Sequence, residues 1–446
     1  MSTIVSISTA LGKGAISIVR LSGDEAIEIV NKVFRGKDLS KCDSHTIHYG
    51  HIYDGDTMVD EVLVSIFKAP KTYTKEDVVE VNCHGGMFVT NKVYELLIKN
   101  GAEIAEPGEF TKRAFMNGRI DLTQAEAVMD VINSETERSL KCANIALRGD
   151  VLKLINNLQS KLMNCITKVE VNIDYPEYDD EEQMTNEILK PILNELKTEL
   201  QVILSKNKDA QVIRDGINTA IIGKPNVGKS SLLNALLREK KAIVTDIAGT
   251  TRDTVEGKIS VGGIILNLID TAGVRETDDI VEKIGVEKSK EVIQQAELIL
   301  LLLDNSECLT DTDKELLELT KDKPRLIIIN KSDLPRRIEV IEGALEVSML
   351  DENDVEKIET EIRKCAICSE INELDASYIG NSRQITLIEK ALNHIDEALN
   401  SIEYCMPVDI INVDITKAYL RLGEVIGSGN PDDIIDNLFA NFCLGK

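Results

Sequence analysis

The sequence predicts a multidomain α+β and α/β chain. It reads as an amino-terminal α+β domain, then a helical domain built from two separate stretches, with an α/β domain inserted between them. Three observations predict this. The 446 residues suffice for two to four domains of about 100 to 200 residues each. The apolar period changes along the chain, from mixed strand and helix to helix alone, then to short apolar runs alternating with helices, then back to helix. A glycine-rich loop lies between one such run and a helical pattern.

The elements follow in order. The strand-like stretches Ile16-Ser17-Ile18-Val19-Arg20 and Val62 to Phe67, with a helix over Val89 to Leu97, predict a compact α+β module. Thr123-Gln-Ala-Glu126 has the form of a capping box and opens a helical pattern. Val151, Leu154, Ile155, Leu158, Leu162, Cys165, Ile166 and Val169 recur at helical spacing. Tyr175-Pro176-Glu177 ends that helix in an acidic loop, and Ile192, Leu193, Leu196, Leu200, Ile203 and Leu204 begin another. From about Arg214, runs at Ile217 to Ile222, Ile264 to Ile269, Leu298 to Leu303, Leu326 to Ile329 and Leu345 to Val347 alternate with helical patterns, so a mostly parallel sheet wrapped by helices is expected. Gly262-Gly263 reads as a hairpin turn that adds an antiparallel strand. After Ser369 the pattern returns to helix. Neither helical stretch alone has enough apolar stripes to close a core, which is why the α/β domain reads as an insertion.

Lys plus Arg is 51 and Asp plus Glu is 76, and 51 − 76 gives a net charge of −25. Such a charge disfavours bulk attraction to nucleic acid or to an anionic membrane, and an RNA contact would need a local basic patch or a basic partner. The longest apolar run, Ala296 with Leu298 to Leu303, is interrupted by Glu297 and stopped by Asp304, short of the roughly 20 residues of a membrane span. Met1-Ser2-Thr3-Ile4-Val5 lacks the basic and apolar regions of a secretory signal, so a cytoplasmic location is expected. Nine cysteines without framework spacing suit a reducing compartment. Cys365 and Cys368 fall in a helical stretch without a second such pair and read as small hydrophobes. His45, His48 and His51 fall three apart in a strand-like stretch, which points successive rings to opposite faces and argues against zinc.

The chemistry begins at Gly223-Lys-Pro-Asn226-Val227-Gly228-Lys229-Ser230, which follows the strand Ile217 to Ile222 and opens a helix at Ser231. In that context the glycines let backbone N–H groups turn around a β-phosphate, Lys229 reaches β- and γ-oxygens, and Ser230 ligates Mg²⁺. Asn330-Lys331-Ser332-Asp333 follows the strand Leu326 to Ile329 and resembles the NKxD of GTPases, whose aspartate accepts from guanine N1–H and N2–H₂. Adenine lacks that pair of donors, so the site selects GTP. Asp270-Thr271-Ala272-Gly273 matches DxxG, and Gly249-Thr250-Thr251-Arg252-Asp253 supplies the switch threonine. Ser348 fits the guanine-loop serine, but Met349-Leu350 departs from the usual Ser-Ala-Lys, leaving only backbone contacts to the base there. Val274 stands where Ras-like enzymes have a water-orienting glutamine. Asn226, with Thr245-Asp246-Ile247-Ala248-Gly249-Thr250-Thr251, could instead build an oxygen-lined pocket for a monovalent cation beside the phosphates. Glu282 is a candidate water-orienting group, and its plainer reading is an exposed helix acid beside Glu276, Asp278 and Asp279.

With Phe442-Cys443-Leu444-Gly445-Lys446 added, the whole chain resembles the MnmE (TrmE) family of tRNA-modification GTPases. Also matching are Thr74-Lys-Glu-Asp77 with Glu80, His84-Gly-Gly86, Pro107-Gly-Glu109-Phe with Arg113-Ala-Phe115, and Asp121-Leu with Gln124-Ala-Glu126. The resemblance implies a folate-binding-like dimerisation domain over 1–118, a helical domain over 119–213 and 371–446, and a Ras-like P-loop GTPase domain over 214–370. It implies potassium-dependent GTP hydrolysis in a homodimer. It further implies a heterotetramer with the flavoprotein MnmG, which brings FAD and NADH and most of the tRNA-binding surface. There C5 of the wobble uridine of certain tRNAs would gain a carboxymethylaminomethyl or aminomethyl group, with 5,10-methylenetetrahydrofolate as one-carbon source and 5-formyltetrahydrofolate as its analogue. Residue by residue, the family's folate contacts fall on Arg20, Glu80, Arg119 and Lys446. Its K⁺ ligands fall on Asn226, Thr245, Ile247 and Thr250, its Mg²⁺ ligands on Ser230 and Thr251, and its catalytic glutamate on Glu282. Arg119 stands where some members have lysine, which keeps charge and changes donor geometry. Cys443 is expected to assist the modification as nucleophile, acid or base, in a tail folded over the folate site, with Leu438 and Phe442 as packing anchors and Gly445 for a sharp turn. Two rivals share the guanine motifs: a ribosome-assembly GTPase, which would carry a basic appendage that this sequence lacks, and a pure nucleotide switch.

Overall fold

The structure, a computed structural model, describes residues 2–174, 186–238, 255–269, 292–366, 379–429, 432–440, 442 and 445. The chain divides into two compact units, residues 1–129 with 423–446, and residues 130–422.

The first unit is built on β1 (Ile4–Ile7), β2 (Ile16–Ser22), β3 (Phe34–Arg35), β4 (Thr46–Asp54), β5 (Thr57–Phe67), β6 (Val78–His84) and β7 (Glu103–Ile104), in the order β3-β4-β5-β6-β2-β1-β7. Neighbours are antiparallel except β1 with β7. The two-residue period sends Val19, Leu21, Val64, Ile66, Val79 and Val81 to one face, where α1 (Ala26–Val33) and α2 (Met87–Lys99) cover them. The other face carries Arg20 opposite Glu80 and Tyr49 opposite Leu63. His48 and His51 lie in β4 on opposite faces, as their spacing predicts.

After α3 (Glu109–Met116), α4 runs over Leu122–Asn133. Its cap lies two residues before the expected one. The Asp121 carboxylate accepts from the N–H groups of Thr123 (2.8 Å) and Gln124 (3.3 Å), and the Gln124 side chain accepts from the Asp121 N–H at 3.1 Å. Asp121-x-x-Gln124 is therefore the capping box, and Thr123 and Glu126, both buried, sit inside the helix. The closing helix Asp432–Phe439 packs Ile435 and Phe439 against Leu122 and Ala125. Arg113, buried, reaches Glu109 (2.8 Å), Glu76 (3.2 Å) and the Ser2 carbonyl (2.7 Å). Within the Thr74–Asp77 motif, Thr74 is buried and Glu76 pairs with this arginine.

The second unit opens with α5 (Glu137–Leu147), α6 (Asp150–Asp174) and α7 (Asn186–Asp215). Thr136 and Ser139 form the capping box of α5. Then come β8 (Ile217–Ile222), α8 (Lys229–Arg238), β9 (Val255–Val261), β10 (Ile264–Ile269), β11 (Leu298–Asp304), α9 (Asp311–Leu319), β12 (Arg325–Asn330), β13 (Leu345–Glu346) and α10 (Glu352–Ala366). The sheet order is β13-β12-β11-β8-β10-β9, parallel throughout except for the β9–β10 hairpin at Gly262-Gly263. Both glycines have positive φ, +56° and +83°, as the two-residue turn requires. Leu298, Leu300 and Leu302 face one apolar layer and Ile299, Leu301 and Leu303 the other, so β11 is buried on both sides. Two further helices, α11 (Ser382–Glu403) and α12 (Val408–Ile426), rejoin the earlier ones. Gln159 of α6 donates to the Tyr419 carbonyl at 3.1 Å, and Lys197 of α7 pairs with Asp396 of α11 at 2.7 Å. The α/β segment is thus inserted between helices that pack together.

Candidate functional site

The first site forms where β8, β11 and β12 end, the carboxyl edge at which open parallel sheets hold ligands. Between β8 and α8 the loop takes positive φ at Gly223 (+152°), Asn226 (+61°) and Gly228 (+104°), turning its amides inward. Space as well as angle demands the glycines. A Cβ at Gly223 would lie 2.5 Å from the Leu302 carbonyl, and one at Gly228 would lie 2.1 Å from Asn330 Nδ2. Lys229 Nζ arches back to donate to the Gly223 and Lys224 carbonyls, 2.7 Å each. Burial pushes its amine below the ordinary lysine range, so an anion seated in the loop would favour its charged form. Helix α8 begins at Lys229, two residues before the expected start, and presents Ser230 and Ser231 exposed in its first turn. Lys224 is anchored away from the loop on Asp313 (2.9 Å) and Glu307 (3.3 Å). Burial alone would lower its pKa, and those two carboxylates outweigh it and raise it.

The base-reading side is tied to this loop by one buried amide. Asn330 Nδ2 donates to the Val227 carbonyl at 2.9 Å, and its Oδ1 accepts from the Met349 N–H at 3.3 Å. Met349 therefore contributes through its backbone, to Asn330. Lys331, at φ +63°, extends its ammonium to Asp304 at 2.5 Å. Burial pushes the Asp304 carboxyl up, and hydrogen bonds from Lys331 and Ser306 overcome that and hold it below the ordinary range. Asp333 is exposed, with Oδ1 accepting from Ser348 Oγ at 2.7 Å, while the Ser348 N–H donates to Asp354 at 2.9 Å. The result is an accessible carboxylate held in orientation, suited to accept two parallel N–H donors.

The structure thus brings together Asn226, Val227, Gly228, Lys229, Ser230, Ser231, Asn330, Lys331, Asp333 and Ser348. Thr245, Asp246, Ile247, Ala248, Gly249, Thr250, Thr251, Asp270, Thr271, Ala272, Gly273, Glu282, Cys443 and Lys446 lie outside the described residues.

The second site lies on the open sheet face of the first unit. Arg20 Nε donates to Glu80 at 2.8 Å, a second guanidinium nitrogen stands 2.8 Å from the same oxygen, and both side chains remain about one-fifth exposed. Arg20 also reaches the Gly445 carbonyl at 3.4 Å, which Ser8 Oγ meets at 3.1 Å. Gly445 has φ +84°, and a Cβ there would lie 2.5 Å from the Ile7 carbonyl, so only glycine permits this approach. Phe439, at 1% exposure, is the tail's main anchor, with Leu438 and Phe442 packed partly buried beside it. Arg20 lies 5.8 Å from the Phe110 ring centre and Arg119 4.7 Å from that of Tyr73. Tyr73 and Phe110 share one apolar cluster with Ile4 and Ala105, which relates the two arginines. The face can hold an anionic or planar ligand through two cations, a carboxylate and aromatic edges. Sequence reasoning missed Ser8, Tyr73 and Asp304. Tyr73 adjoins the Thr74 motif and Asp304 visibly ends an apolar run, so both signals were present without a partner to interpret them.

The family profile described as the GTP-binding protein TrmE N-terminus matches residues 3–119, and the MnmE helical domain profile matches residues 122–443. The tRNA modification GTPase MnmE of Streptococcus thermophilus is 52% identical over 448 residues, covering 100% of this chain and 98% of that protein. Those of Streptococcus mutans and Lactococcus lactis subsp. cremoris are 50% and 51% identical, again over 100% of this chain and 98% of theirs. A crystal structure of Aquifex aeolicus Era bound to GDP and AlF4⁻ aligns at 26% identity over 40% of this chain and 66% of that one, with a TM-score of 0.26, too low to bear on the fold. Among the described residues no helix is long and apolar enough to cross a membrane.

Proposed function

The chain belongs to the MnmE family of tRNA modification GTPases, and on that premise we propose that it is a potassium-dependent GTPase that works with the flavoprotein MnmG in the cytoplasm. Together they would add a carboxymethylaminomethyl or aminomethyl group at C5 of the wobble uridine of certain tRNAs. The observation that carries the guanine reading is the Asn330 amide, which joins the phosphate loop to the loop bearing Asp333. Lys229 would neutralise β- and γ-phosphate oxygens, Ser230 and Thr251 would hold Mg²⁺ with Asp270 near it, and the Gly273 N–H would meet the γ-phosphate. The exposed Asn226 at left-handed φ supports a K⁺ site completed by Thr245, Ile247 and Thr250. The cation would supply charge where Val274 leaves no glutamine, and Glu282 would orient the attacking water.

In this reading Arg20, Glu80, Arg119 and Lys446 bind a tetrahydrofolate that supplies the one-carbon unit, and the Gly445 turn against Arg20 supports a role for Cys443 there. Ile47, Tyr49 and Leu63, exposed on the same sheet face, support a homodimer. The charge of −25 supports tRNA binding chiefly through MnmG, in a heterotetramer that brings FAD and NADH. Nucleoside analysis of tRNA from cells lacking the gene tests the reading. Loss of the C5-modified wobble uridine, restored by the gene, is expected, and unchanged tRNA overturns it. Hydrolysis at equal rates in K⁺, Na⁺ and Cs⁺ would overturn the potassium requirement.

A further inference from the structure

The β9–β10 hairpin occupies a special place in the chain. β9 starts at Val255, two residues after the Gly249-Thr-Thr-Arg-Asp253 motif, and β10 ends at Ile269, immediately before Asp270-Thr-Ala-Gly273. Both sequences that would answer to a γ-phosphate are therefore joined by one ribbon, its strands in register from Ile264 opposite Val261 to Leu268 opposite Gly257. A displacement of either motif that reaches Val255 or Ile269 would pull on this ribbon.

The ribbon is held by the short connection between α4 and α5. Lys258 of β9 pairs with Glu135 at 2.9 Å, and both side chains are only about one-quarter exposed, which partly shields the pair from solvent. At the turn, Arg138 lies over Gly263, where a Cβ would sit 3.4 Å from Arg138 Cδ, and Cys142 of α5 packs against the apolar core beneath the sheet. Glu135 follows α4 by two residues, and the other end of α4 is capped by Asp121, two residues after Arg119. One helix therefore spans the sequence between an arginine of the second site and the acid that grips the nucleotide-sensing ribbon.

We propose that Glu135 and Lys258, with Arg138 on the hairpin turn, form the joint through which the bound nucleotide acts on helix α4. The inference rests on the guanine-nucleotide reading of the first site. Neither Glu135 nor Lys258 belongs to either candidate site, so their role is to transmit position and not to touch a ligand. An allosteric role requires a contact that differs between the two nucleotide states, and the ion pair between β9 and the α4–α5 connection would differ if the ribbon shifted.

Amide hydrogen exchange of the full-length protein tests the joint, comparing GDP with a non-hydrolysable GTP analogue and following peptides across 120–140. In the wild type, exchange there should differ between the nucleotides by about 5-fold or more, the low end of measured site-to-site couplings. Glu135→Ala and Lys258→Ala should each remove most of that difference while GTP hydrolysis stays within about twofold of wild type. The exchanged pair, Glu135→Lys with Lys258→Glu, should restore it, which a merely structural loss would not do. A wild-type α4 blind to the nucleotide, single variants that keep the difference, or an exchanged pair no better than the singles would each overturn the inference. Wild-type activity on tRNA, measured separately, decides the proposed function without bearing on this result.

Discussion

Asn330→Ala should separate the two halves of the nucleotide site by removing the amide that ties the phosphate loop to the base-reading loop. The Asn330 side chain is 3% exposed and makes two hydrogen bonds, a well-formed one at 2.9 Å to the Val227 carbonyl and a long one at 3.3 Å from the Met349 N–H. Val227 is itself 2% exposed, so its carbonyl loses a partner in a place that water reaches poorly. The net value of the hydrogen bonds is about 1 kcal/mol, and the orphaned carbonyl adds about 1–2 kcal/mol more. A total of about 2–3 kcal/mol corresponds to roughly 30- to 150-fold in an equilibrium constant. Because the ligand must restore the relative placement of the loops, that factor should appear in the Kd for a fluorescent GDP analogue. Asn330→Asp should be worse, since it sets a carboxylate oxygen against a carbonyl. Titration by fluorescence, with thermal unfolding as a control for the fold, decides the matter. A Kd within twofold of wild type for Asn330→Ala would refute the claim that this amide holds the two loops together.

Four further outcomes are expected. Asp333→Asn should weaken GTP and admit xanthosine triphosphate, whose C2 carbonyl accepts from the new amide; failure of the xanthosine nucleotide to bind contradicts base reading by Asp333. Glu282→Ala should lower kcat by about 10²- to 10⁴-fold with GTP affinity intact, and a wild-type kcat returns Glu282 to an exposed helix acid. Arg20→Ala, measured by calorimetry against 5-formyltetrahydrofolate, should lose at least about tenfold in affinity, because it deletes a charge-assisted donor and uncovers Glu80; unchanged binding counts against the site. Cys443→Ser should abolish tRNA modification in a reconstituted assay with MnmG while GTP hydrolysis continues, and full modification by the serine variant reduces Cys443 to packing.

The sequence by itself determined the features that depend on local geometry. A short apolar run such as Leu298 to Leu303, stopped by Asp304, fits a strand buried on both faces, and Gly223 to Ser230 between a strand and a helix fits a phosphate loop, because run length and a glycine requirement are local to the chain. The helical spacing over Val151 to Val169 and the hairpin at Gly262-Gly263 were legible for the same reason. At the start of α4 two overlapping windows, Asp121 to Gln124 and Thr123 to Glu126, both fit the capping pattern, and the Asp121 hydrogen bonds with the burial of Thr123 and Glu126 choose the first. Only the tertiary structure decided which distant residues meet. That Asn330 reaches back to Val227, that Lys331 ends on Asp304, that Gly445 returns to Arg20 and that Glu135 grips Lys258 all depend on which chain segments the packed sheets and helices bring within about 3 Å, the reach of a hydrogen bond. Such pairings leave no periodic trace in one sequence, because each partner's local environment is satisfied by many residue types until the other arrives.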